Sequence, residues 1–186
     1  MPRITEIEGT PNPNAMKFVL RDPLTWGVSR SYDNAGAAKD DPLACALFDI
    51  EHVTNVFYVD HWITVTQDGG ADWQELTRTV AEPIRAALAA DAQSATTVAA
   101  ATTAIAGLSP ENQQRLDKIN ALLDEQIRPY LQGDGGDLHV LGLDSNKLSV
   151  HYPGACGTCP SSIAGTLTGI ENLVKSIEPD IEVVAI

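Results

Sequence analysis

Residues 91–106 read DAQSATTVAAATTAIA, and this stretch limits the folds open to the chain more than any other. Alanine and threonine fill 11 of its 16 positions, and no aromatic residue interrupts them. Such a segment has little apolar surface to bury, so it reads as a tether, with enough alanine for a frayed helix, and not as part of a core. The 186-residue chain is therefore expected to hold an N-terminal domain over 1–90, a linker over 91–108 and a C-terminal domain over 109–186. Pieces of that size have only modest cores.

The C-terminal piece opens with LSPENQQRLDKINALLDEQIRPYLQ. Ser109 can cap a helix with Pro110 at its first position, and Leu116, Ile119, Leu123, Ile127 and Tyr130 recur at helical spacing. The helix is expected to bend or end near Pro129. DLHVLGL and KLSVHY alternate apolar and polar residues around Asp144-Ser145-Asn146, which predicts a β-hairpin. SSIAGTLTGIENLVKSI then spaces Ile163, Leu167, Ile170, Val174 and Ile177 as a second helix, stopped at Glu178-Pro179, and IEVVAI closes the chain as a strand. The predicted order is helix, strand, strand, helix, strand.

In the N-terminal piece AMKFVL reads as a strand and DDPLACALFDI as a short capped helix. VTNVFYV and WITVT read as a hairpin turning at Asp60-His61. DWQELTRTVAEPIRAAL predicts a helix buried through Trp73, Leu76, Val80, Ile84 and Leu88, kinked at Pro83. Both pieces are thus α+β, and the fold class is two small α+β domains.

Charge narrows the partners. The formal net charge is −13, with 7 basic and 14 acidic residues over 1–91 and 5 and 11 over 110–186. Neither half has a basic patch to neutralise phosphates, which argues against nucleic acid and against an anionic membrane surface. No apolar run approaches the roughly 18 to 20 residues of a membrane span. Three cysteines do not make the disulfide framework of a small secreted domain, and no leader is read at the N-terminus, so a reducing cytoplasmic compartment is expected.

The chemistry concentrates in HYPGACGTCPSS, residues 151–162. Cys156 and Cys159 stand between a predicted strand and a predicted helix. Cys159 therefore falls beside the free amides and positive end of that helix, where thiolate is favoured. A thiolate there can attack a disulfide or bind a soft metal, but soft metals usually want four ligands. Three solutions compete. Structural zinc would need further ligands, and Cys45, His52, His61, His139 and His151 lack ligand spacing. Cys45 sits on the apolar face of PLACALFDI as a small buried residue, and the histidines read as ordinary strand and turn side chains. A dithiol oxidoreductase needs only the two cysteines, although the strand–helix–strand setting expected of a thioredoxin-like pair is not read here. The third solution is a homodimer that brings two pairs together around one cluster on its axis.

At these residues the chain resembles a known family. IRPYLQGDGGDLHV, YPGACGTCPSS and TLTGIENLV occur in order and are similar to the C-terminal domain of NifU and its Nfu-type relatives, over about residues 116–186. PNPNAMKFVL, DPLACALF and VTNVFYVDHWITVT resemble the N-terminal domain that accompanies it in many Nfu proteins. The resemblance implies a carrier and not an enzyme. It implies that Cys156 and Cys159 coordinate an iron-sulfur cluster, commonly 4Fe-4S, bridging a homodimer. That cluster would be received from an upstream donor and passed to apo iron-sulfur proteins. Thr168 stands where a lysine is frequent and His52 where a glycine is frequent. Gly135 and Gly136 are expected to form a turn that needs positive φ. The N-terminal domain shows no catalytic constellation and is expected to bind partners or orient the dimer.

Overall fold

The computed structural model describes residues 2–87, 110–155, 157 and 160–186, with residues 110 and 160–164 described by their backbone alone. The expected linker over 91–108 and Leu88 lie outside the described residues. The chain divides into two compact units at residue 100.

In the first unit β1 (Ile4–Gly9), β2 (Ala15–Leu20), β3 (Arg30–Tyr32), β4 (Val53–Val59) and β5 (Trp62–Gln67) form an antiparallel sheet in the order β1-β2-β5-β4-β3. Alternation places Phe18 and Leu20, Val56 and Tyr58, and Ile63 and Val65 in one core. There they meet Ala44 and Leu47 of α1 (Pro42–Phe48) and Leu76, Val80 and Ile84 of α2 (Trp73–Ala86). Each large apolar side chain so buried contributes about 1.5–3 kcal/mol. The β4–β5 hairpin turns at Asp60-His61 as expected, with Asp60 at φ +46°. Asp41 caps α1, its Oδ1 accepting the Ala44 N–H at 3.0 Å. Asp72 caps α2, which continues through Pro83 to Ala86. Two strands escape the sequence reading. Four of the six residues of β1 are exposed, and β3 is three residues long, so neither carries the apolar alternation of a strand. His52 has φ +74°, a backbone conformation that glycine adopts more readily than histidine; its Nδ1 lies 3.1 Å from Asp68 Oδ1.

In the second unit the elements follow the predicted order, with one helix split in two: α3 (Pro110–Gln126), α4 (Arg128–Gly133), β6 (His139–Asp144), β7 (Lys147–His151), α5 (Pro160–Lys175) and β8 (Glu182–Ala185). The sheet order is β6-β7-β8. Leu116, Ile119 and Leu123 of α3 and Ile170 and Val174 of α5 pack with Leu143, Leu148, Val150 and Val183 of the sheet. The helix breaks at Ile127, before Pro129, because Pro129 has no N–H to offer the carbonyl four residues back, that of Glu125, and its ring crowds that carbonyl. The break takes Tyr130 off the apolar stripe, and it is 75% exposed instead of buried. Ile177 lies beyond the end of α5 and is 44% exposed, again contrary to the helical spacing. Arg115 ties the ends of this unit together, donating to both carboxylate oxygens of Glu178 at 3.1 and 3.0 Å and to the carbonyl of Ser145 at 2.9 Å.

One pairing corrects the sequence reading of the cysteine motif. β6 and β7 are antiparallel, but β7 and β8 run parallel with α5 between them. The C-x-x-C therefore does occupy a strand–helix–strand crossover. The sequence shows the order of elements, whereas parallel pairing depends on which edge of β7 the last strand joins.

Candidate functional site

Cys156 and Cys159, the sequence-predicted site residues, lie outside the described residues; the structure describes the frame around them. β7 ends at His151, one strand-end before the loop, and α5 begins at Pro160, the residue after Cys159. Tyr152, Pro153, Gly154 and Ala155 enter the loop buried. A Cβ on Gly157 would stand 2.1 Å from the Tyr152 carbonyl oxygen, so the loop closes on itself too tightly for any other residue there.

The paired-glycine stretch braces this entry. Gly135 has φ +80°, the turn expected from sequence, and its carbonyl accepts the Ala155 N–H at 3.2 Å. Gly136 pairs with Gly154 in an isolated antiparallel bridge. The N–H of Asp137 donates to the carbonyl of Pro153 at 3.1 Å. Asp137 is buried, and its Oδ1 accepts the Leu138 N–H at 2.8 Å and Arg128 Nη1 at 3.3 Å, while Arg128 Nε donates to Asp124. Sequence reasoning quoted this stretch for its glycines and passed over Asp137 and Arg128. The available signal was an aspartate directly after two glycines, with an arginine next to the helix-breaking proline.

His139 and His151 face each other across β6 and β7. Burial pushes His139 below the ordinary histidine range, with the Arg128 and His151 charges acting in the same direction and Asp137 against them. His151 Nδ1 lies 3.0 Å from the Ile186 carbonyl. Among the described residues no group of three or more His, Cys, Asp or Glu side chains could hold a metal ion. Cys45 is half-buried against the first core and its Sγ donates to the Ala38 carbonyl at 3.0 Å, consistent with a packing role.

A second polar cluster belongs to the first unit. Asp41 Oδ2 accepts hydrogen bonds from Tyr58, from Tyr32 at 2.8 Å and from Arg30 Nη1 at 2.9 Å. Burial opposes the Asp41 charge, but the Ala44 N–H, the two hydroxyls and the guanidinium outweigh it and hold the carboxyl below its usual range. Burial and the Asp41 charge push the Tyr58 hydroxyl far above the ordinary tyrosine range. A cavity of about 350 Å³ opens beside this cluster, lined among others by Leu24, Leu43 and Pro83. Asp41 is committed to four donors, so the cluster is a structural node.

The comparisons with known proteins bear on both units. Residues 4–91 match the family described as "Scaffold protein Nfu/NifU N terminal", and residues 119–185 match "NifU-like domain". A human protein named "NFU1 iron-sulfur cluster scaffold homolog, mitochondrial" is 33% identical over 95% of this chain and 69% of its own length. The chain belongs to the Nfu/NifU family. Other family members behave alike: the Drosophila erecta scaffold homolog is 30% identical over 95% of this chain, and Arabidopsis thaliana "NifU-like protein 4, mitochondrial" is 31% identical over 95%. The chain spans 62% of the length of the former and 66% of the latter. A Staphylococcus aureus crystal structure covers 44% of this chain and 98% of its own at 24% identity and a TM-score of 0.40. A Staphylococcus epidermidis solution structure covers 45% and 96% at 30% identity and 0.35.

Family membership corrects the expected compartment. The curated relatives from fly, human and Arabidopsis are named mitochondrial, which overturns the cytoplasmic expectation. Acidic composition and a count of three cysteines do not distinguish one reducing compartment from another. Among the described residues no helix is long and apolar enough to cross a membrane.

Proposed function

We propose that the chain is an iron-sulfur cluster carrier in which Cys156 and Cys159 from each of two copies hold one 4Fe-4S cluster on the dimer axis. The cluster is cargo. It is received from an upstream scaffold and surrendered to apo-proteins whose own cysteines displace the carrier's thiolates one at a time. The observation that supports this reading is that the C-x-x-C pair of a NifU-like domain falls between β7 and α5, after a braced loop entry. Two thiolates per chain leave half of a four-thiolate cluster to be supplied by a second chain. Separation of the two chains then removes half of the ligands, which couples release to dissociation. We assign the N-terminal domain to partner binding or dimer orientation; equal transfer to every tested apo-protein by a chain without residues 1–90 would remove that role.

The test is anaerobic reconstitution with iron and sulfide, followed by size-exclusion chromatography with iron, sulfide and protein assayed across the peak. The expected result is about four irons and four sulfides per dimer, with Cys156→Ser and Cys159→Ser each losing the cluster and keeping their circular dichroism. Normal cluster content in either variant defeats the assignment. The strand–helix–strand crossover favours one competing reading, a dithiol oxidoreductase. A metal-free monomer that reduces disulfides would establish that reading in its place.

A further inference from the structure

We propose that Asp137, held by Arg128, is a positioning residue for the cysteine loop and sets how long a bound cluster is retained. The proposal deepens the carrier reading and rests on it.

The brace consists of two backbone hydrogen bonds in opposite directions: Asp137 N–H to Pro153 C=O, and Ala155 N–H to Gly135 C=O. Cys156 is the next residue along the chain. The direction of the Asp137 N–H is fixed by its own side chain, because Oδ1 takes both the neighbouring Leu138 N–H and the Arg128 guanidinium. Arg128 is the first residue of α4, directly after the break at Ile127, and also holds Asp124 in the last turns of α3. One arginine therefore links the α3–α4 corner, the glycine turn and the loop entry. Asp137 is 5% exposed, so water does not readily replace the guanidinium if it is removed. Groups one step behind metal ligands commonly change metal affinity by 10–100-fold, because they fix where the ligands point. The backbone contacts at Pro153 and Ala155 immediately precede Cys156 in the chain, and the same expectation is extended through them.

The test uses the full chain, reconstituted anaerobically, with cluster loss to excess chelator followed by decay of the visible absorbance. Asp137→Asn and Arg128→Gln should each release the cluster about tenfold faster than the parent chain. The double variant should release no faster than Arg128→Gln alone, since Asp137→Asn weakens the same link by removing its charge. Arg128→Lys should recover part of the retention, keeping the charge and losing the two-armed geometry. Val174→Ala, in the α5 core, lowers stability without touching the brace and should release at the parental rate. Parental release rates in Asp137→Asn and Arg128→Gln would overturn the proposal, and so would equal acceleration in Val174→Ala, which would reduce the effect to general loosening. If Asp137→Asn does not fold, the more exposed Arg128→Gln decides alone. A parent chain that binds no cluster overturns the carrier reading and this proposal with it; a parent chain that loads normally beside unchanged variants overturns the positioning role only.

Discussion

Gly157 lies so close to Tyr152 that a Cβ there would stand 2.1 Å from the tyrosine's carbonyl oxygen. The neighbour is backbone of a buried residue and cannot swing aside. Gly157→Ala must therefore displace the loop. We expect a loss of about 1–3 kcal/mol in the second unit, typical of overpacking a filled site. Iron content after reconstitution should fall several-fold. Thermal unfolding and iron assay check both, and parental values in both would show that the loop adapts without cost.

Gly135 and Gly133 stand two residues apart and should respond oppositely. Gly135 has φ +80°, so Gly135→Ala forces a Cβ into the left-handed region at a cost of about 1–2 kcal/mol. Gly133 closes α4 at ordinary helical backbone, with nothing within 4 Å of an added Cβ. Gly133→Ala should be neutral or stabilising by up to about 1 kcal/mol. Urea unfolding of the two variants side by side measures the contrast.

Asp41 accepts hydrogen bonds from Tyr58, Tyr32 and Arg30 on one oxygen and from Ala44 on the other. Asp41→Asn should cost the first unit about 1–3 kcal/mol. The folded carboxyl titrates below its unfolded value, so its stabilisation is complete above about pH 4 and drains away as pH falls lower. The parent chain should lose stability on acidification more steeply than Asp41→Asn. Parallel pH-dependence in the two proteins would contradict the role of the cluster.

Burial holds the folded pKa of His139 below its unfolded value. The folded chain then binds fewer protons than the unfolded one around the histidine range, so this group favours folding above about pH 6.5 and opposes it progressively as pH falls. His139→Gln should flatten the stability profile of the second unit between about pH 5 and 7. Unfolding midpoints across that range provide the check.

Legibility from sequence followed the range of the interactions involved. β2, β4 and β5 alternate apolar residues and could be read directly, whereas β1 is an exposed edge and β3 acquires its identity only by pairing Arg30, Ser31 and Tyr32 with Tyr58, Phe57 and Val56. Asp41 was readable as a helix cap, an interaction three residues long. Its other oxygen serves residues 9, 11 and 17 positions away, which no local pattern encodes. At the candidate site the cysteine motif and the glycine turn were legible. The Arg128–Asp137 link was not, because it depends on a helix break placing an arginine over a loop entry.

The parallel joining of β8 to β7 has a consequence for the order in which the protein is made. β8 is the last of the described strands in chain order, and its Val183 and the neighbouring Ile181 complete the second core. Chain synthesis proceeds from the N-terminus, so the first unit has all its strands while the second still lacks one. The crossover that begins after β7 is tied down at its far end only when β8 has been made. The nascent second unit therefore cannot close its sheet until β8 has been made.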